Sequence, residues 1–180
     1  MGNNQQTLNI LLLGLPRTGK TLLTNYLLSN DLCLNISEKT IYKETPIRYA
    51  HKRINLIEFG GHVIRHWPDF FCEKIQSLGV IYVFISSEVT IEAIHKTRNS
   101  LMMLYYHYFN HLKDIPLCVI QTCVDSDIAP SIDWDTLKYE LQLDCIAQNR
   151  SVLMIRLVFN EDFALQKNLE RLLEWSHHHK

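Results

Sequence analysis

The chain has 180 residues, a formal net charge of -1, 47% hydrophobic and 21% charged residues, the balance of one ordinary globular domain, which excludes disorder, collagen and coiled coil. A charge this close to zero argues against a sequence-blind nucleic-acid binder, so no nucleic-acid partner is expected. The cysteines Cys33, Cys72, Cys118, Cys123 and Cys145 stand singly, without a CxxC pair, which argues against a disulfide framework or zinc ribbon and suits a reducing, cytoplasmic compartment.

Residues 1–8 are polar and read as an N-terminal tail without a secretory signal, residues 9–175 as the domain, and residues 176–180 as a C-terminal tail. Asn9 to Leu13 is a short apolar run stopped by Gly14, which reads as a buried strand. Gly19 to Ser29 follows with Leu22, Leu23, Tyr26 and Leu27 on one helical face. Between Asp31 and Arg53 the pattern is weak, with a mobile loop and one strand around Ile47 to His51. Ile54 to Phe59 is a strand stopped by Gly60-Gly61, and Val80 to Ser86 is the clearest strand, rich in β-branched and aromatic residues. Glu88 to Leu112 is a long helix, Leu117 to Thr122 a strand, Asp135 to Ala147 a helix, Ser151 to Phe159 a strand and Asp162 to Trp175 a closing helix. This alternation predicts an α/β fold of three layers, a mainly parallel sheet with helices on both faces and its ligand at the carboxyl ends of the strands.

Gly14-Leu15-Pro16-Arg17-Thr18-Gly19-Lys20-Thr21 matches G-x-x-x-x-G-K-[ST] between a strand and a helix. Each part answers a need of the chemistry. The glycines let the backbone approach phosphates without a Cβ in the way. Successive N–H groups and the helix N-terminus face the anion. Lys20 sets an ammonium on the terminal phosphates, and the Thr21 hydroxyl can ligate Mg²⁺. The strand–loop–helix context favours a phosphate loop, and with it a P-loop NTPase fold, over a glycine-rich turn before an ordinary helix.

With that loop in place, the order and spacing of the rest resemble the ADP-ribosylation-factor family of small GTPases, from about Leu8 to Trp175. The resemblance implies a Ras-like small GTPase fold, GTP/GDP and Mg²⁺ as cofactors, and effector and regulator proteins met through two switch regions. Thr40 resembles the first-switch threonine that closes over Mg²⁺, with Thr45 a competing candidate. Glu58 stands where the family has an aspartate that holds Mg²⁺ through a water, and Gly61 resembles the glycine whose amide meets the γ-phosphate. His62 takes the place of the usual water-orienting glutamine, which implies slow intrinsic hydrolysis; a solvated loop residue is the alternative. Thr122-Cys123-Val124-Asp125 stands where the family has N-K-x-D. Asp125 keeps the carboxylate that reads guanine, while Thr122 cannot replace the bracing amide and Cys123 lacks the long stem that lies along the base. A plain turn or helix-cap role for Asp125 stays open. The later base-contacting loop would fall near Leu157-Val158-Phe159 and does not match the family either, so reduced nucleotide affinity is expected.

Two rival functions carry weight: a pseudo-GTPase scaffold, given Glu58, His62 and Thr122-Cys123, and a P-loop nucleotide kinase, for which Arg98, Arg150 and Arg156 are too isolated. Met1-Gly2 resembles a myristoylation start, but Gln6 stands where Ser or Thr is wanted, so N-myristoylation is disfavoured; peripheral membrane association stays open and a monomer is expected. The pairs His62/His66 and His107/His111 lack a third ligand in register, so no zinc site is expected. Trp67, Phe70 and Phe71 are read as packing of the second switch, with an effector hot spot as the alternative. Kinship points to membrane trafficking or ciliary transport.

Overall fold

In a computed structural model of the chain, residues 7–29, 42–49, 51–62, 75–125, 127, 129–146 and 150–179 are described. The first apolar run becomes a strand with no face for solvent: in β1 (Leu8–Gly14) every residue but Asn9 is buried. The alternation of a strand sends Leu8, Ile10 and Leu12 to one side and Leu11 and Leu13 to the other.

Five further strands complete the sheet: β2 (Tyr42–Tyr49), β3 (Lys52–Phe59), β4 (Leu78–Ser86), β5 (Leu117–Cys123) and β6 (Val152–Val158). Their order is β2-β3-β1-β4-β5-β6; β2 runs antiparallel to β3 and every other neighbouring pair is parallel. Helices α1 (Lys20–Ser29) and α5 (Asp162–His178) cover one face with Leu22, Leu23, Leu165, Leu169 and Leu172. Helices α2 (Ile91–Leu112), α3 (Trp134–Glu140) and α4 (Leu143–Ile146) cover the other with Ile94, Leu101, Leu104, Leu137 and Leu143. The three-layer, mainly parallel α/β architecture expected from the sequence is thus present, with a phosphate loop between β1 and α1.

The differences lie at edges and breaks. β2 starts at Tyr42, so residues 42–46 are strand and not loop; it is an edge strand, and such a strand tolerates Pro46. The helix expected over Asp135 to Ala147 is two helices, because Gln142 turns into left-handed backbone with φ 54°. α2 starts at Ile91, where the Thr90 hydroxyl accepts from the Ala93 N–H at 3.3 Å. The domain reaches past both expected tail boundaries. Leu8 opens β1 fully buried, and α5 runs on to His178 with Ser176 buried, its Oγ 2.6 Å from the Tyr82 hydroxyl.

Candidate functional site

The loop after β1 is shaped by what a side chain would strike. A Cβ on Gly14 (φ 150°) would lie 2.7 Å from the Phe84 carbonyl oxygen, and one on Gly19 (φ 86°) 3.0 Å from Thr122 Cγ2. Arg17 holds φ 61° without being glycine, a strained conformation that a ligand-binding loop can carry. The Thr18 hydroxyl donates to the Leu15 carbonyl at 2.8 Å and closes the turn. Pro16 has no N–H, so one position of the loop offers no donor to an anion.

Lys20 opens α1 and folds back over the loop. Its Nζ donates to the Gly14 carbonyl at 3.0 Å and the Leu15 carbonyl at 2.9 Å, and the residue is only 6% exposed. Burial pushes its pKa down from 10.5 to about 8, against the pull of the nearby Glu58 carboxylate. A cation held this way, out of water and without an ion pair among the described residues, is suited to a polyphosphate.

Glu58 lies near the end of β3, in register with Leu12 of β1, which brings its carboxylate to the start of α1. Thr21 Oγ1 donates to Glu58 Oε1 at 2.5 Å, while Glu58 Oε2 is buried without a hydrogen-bond partner. The extra methylene of glutamate therefore reaches the Thr21 hydroxyl directly. A hydroxyl beside a carboxylate with one oxygen unsatisfied is a donor set that fits a hard divalent cation.

Gly61 lies on the loop itself. A Cβ there would come within 2.2 Å of Pro16 N and 2.3 Å of Leu15 C, so only glycine permits the approach. His62 follows, exposed to solvent. Thr40 lies outside the described residues, as do His66, Trp67, Phe70 and Phe71.

At the end of β5 the structure corrects the reading of Thr122. Its hydroxyl lies 3.0 Å from the Thr18 carbonyl and 3.3 Å from that of Ile85, so it braces the loop after all. The methyl group of the same side chain packs against Gly19. Cys123 Sγ donates to the Asp125 carbonyl at 2.7 Å. Asp125 Oδ1 accepts from the Asp127 N–H at 3.1 Å, the turn role weighed for it, and from Asn160 Nδ2 at 2.8 Å. No sequence motif singles out Asn160. The loop expected near Leu157-Val158-Phe159 comes later, because Leu157 and Val158 still belong to β6 and the Phe159 N–H still bonds to the Cys123 carbonyl. The one available signal was an asparagine just ahead of the acidic pair that opens a helix.

The arginines weighed for a lid contact other parts of the fold: Arg98 the Glu140 carbonyl, Arg150 the Tyr105 ring and Arg156 the Gln121 side chain. No group of three metal-ligating side chains occurs among the described residues, and no described helix is long and apolar enough to cross a membrane.

A family model described as the ADP-ribosylation factor family matches residues 1–176. No curated protein matches the chain. Among solved structures, the Arl6 BBS3 small GTPase from Trypanosoma brucei, with the nucleotide analogue GppNp bound, is similar at 12% identity and a TM-score of 0.76, covering 97% of this chain and 99% of that one. At that identity the likeness is one of fold.

Proposed function

The chain belongs to the ADP-ribosylation factor family, and on that premise we propose that it is a guanine-nucleotide-binding switch that recruits partner proteins. The observation that carries this reading is the Lys20 ammonium on the Gly14 and Leu15 carbonyls beside the Thr21–Glu58 pair, with Gly61 laid against the same loop. Backbone amides and Lys20 take the phosphates. Thr21 and Glu58 would hold Mg²⁺, which neutralises charge on the outer phosphates. Gly61 is close enough to the loop for one added phosphate to be felt by the segment that follows it, which is how a small change at the ligand becomes a change of surface. Asp125, steadied by Asn160, offers a carboxylate to the ring N–H and amino group of guanine.

The sequence Glu58-Phe59-Gly60-Gly61 followed by His62, and the stretch Leu143 to Arg150, are similar to ADP-ribosylation factor-like protein 16. By this kinship we place the protein in the cytoplasm and at membrane peripheries, as a monomer, in trafficking or ciliary transport. A scaffold without nucleotide is the rival. Cys123 and His62 favour it, while the bond of Thr122 to the loop counts against it.

His62 tests the switch reading directly. A neutral imidazole offers one donor and one acceptor on a rigid ring, a poor copy of a glutamine amide. Multiple-turnover phosphate release from GTP is expected to be slow for the native chain and faster for His62→Gln. Fast unaided turnover by the native chain, or a variant that is no faster, contradicts the reading.

A further inference from the structure

At the edge of the sheet away from β2, strand β6 has a sheet neighbour on one side only. A cavity of about 280 Å³ opens there between α3 and α5, lined by Trp134, Met154, Ile155, Arg156, Asn168 and Arg171. No phosphate-loop residue lines it, and no carboxylate does.

Arg156 is fixed in place from several sides. Its Nε donates to Gln121 Oε1 at 3.0 Å; Gln121 is fully buried, and its Nε2 is in turn fixed on the Ile132 carbonyl at 3.3 Å. The Trp134 ring centre lies 5.7 Å from the guanidinium carbon, and Asn168 Nδ2 donates to the Arg156 carbonyl at 3.1 Å. The terminal nitrogens of Arg156 bond to no described residue, and Arg171, one turn along α5 from Asn168, makes no hydrogen bond or ion pair with any described residue.

Two arginines from different elements line one small cavity, and a buried glutamine that steadies one of them is preorganisation for a visitor. We propose that this cavity is a second anion site, separate from the phosphate loop, that takes a phosphate ester. A carboxylate is planar and is satisfied by one guanidinium. A tetrahedral dianion presents three oxygens in different directions and matches two guanidinium groups approached from two elements. The ester belongs either to a soluble metabolite or to a lipid headgroup, since the chemistry recognised is the same.

The test uses the full chain saturated with GDP and Mg²⁺, and in parallel Lys20→Ala, so that the phosphate loop does not report. Phenyl phosphate is titrated while the Trp134 indole N–H is followed by NMR; a glutamate-rich peptide without phosphate is the carboxylate control. A saturable shift of Trp134 is expected, weakened about tenfold or more in Arg171→Gln and in Arg156→Gln, and largely kept in Arg171→Lys. Soluble inositol phosphates and vesicles carrying phosphoinositide then separate the sources, with Arg171→Gln weakening whichever binds. The proposal is overturned if Trp134 does not respond, if binding survives Arg171→Gln but is lost in Lys20→Ala, or if the acidic peptide binds as tightly as the phosphate ester. Arg171 is exposed, so its replacement leaves the fold intact, and unchanged thermal melting confirms that a lost response is a lost contact.

Discussion

A hydroxyl at position 122 ties the end of β5 to the loop between β1 and α1, across 104 residues of sequence. Its partner carbonyl is buried, so removing the donor leaves an acceptor unsatisfied and not merely one bond fewer. Thr122→Val is expected to cost about 1–2 kcal/mol in urea unfolding and to speed nucleotide release; a variant with native stability and native release contradicts the bracing role. Lys20 carries a pH dependence of definite sign. Its folded pKa is about 8 against 10.5 for an ordinary lysine, so below 8 the folded chain bears the whole cost of a buried charge. As pH rises from 8 towards 10.5 the folded state loses the proton first, and the stability this group contributes rises. Polyphosphate affinity runs the other way, because the ligand wants the ammonium. Between about pH 7 and about pH 9 at fixed Mg²⁺, triphosphate affinity is expected to be level at first and then to fall towards tenfold per pH unit. Affinity that rises through that range contradicts the role given to Lys20.

Elements with a one-sided or two-sided apolar pattern were legible in the sequence, and breaks without glycine or proline were not. β1, β4 and β5 read as continuous apolar runs because both of their faces are covered. β2 is legible only in part, since it is an edge strand whose first three residues lie partly or fully in solvent. The break between α3 and α4 left no mark because Gln142 takes left-handed backbone that sequence rules assign to glycine or asparagine. That strain makes a prediction: Gln142→Gly should stabilise the protein by about 1 kcal/mol in chemical denaturation, and a loss of stability would mean that the Gln142 side chain makes a contribution larger than its strain. The phosphate loop was legible for the opposite reason, being contained in eight consecutive residues from Gly14 to Thr21. Asn160 and the Thr122 brace were not, because each exists only once β5 is set beside the loops at its end; Asn160 lies 35 residues from Asp125 in the chain.

At the scale of the molecule, a sheet with two apolar faces gathers these distant groups at one end. β1 delivers the phosphate loop, β3 delivers Glu58 and Gly61, β5 delivers Thr122 and Asp125, and β6 delivers Asn160. Each of these strands is held in parallel register by at least one neighbour, so the spacing of the site follows from packing in the two cores and not from the loops alone. A ligand spanning that end touches several strands and should stabilise the whole domain in proportion to its binding. The central claim is that this end holds a guanine nucleotide. It is tested by denaturing freshly purified full-length protein, identifying any nucleotide released, and measuring affinity and exchange for GTP, GDP and ATP with Mg²⁺, beside Lys20→Ala. The account predicts bound guanine nucleotide that exchanges and is lost in the variant; an empty protein with no affinity for guanine nucleotides, or one that prefers ATP, would contradict it.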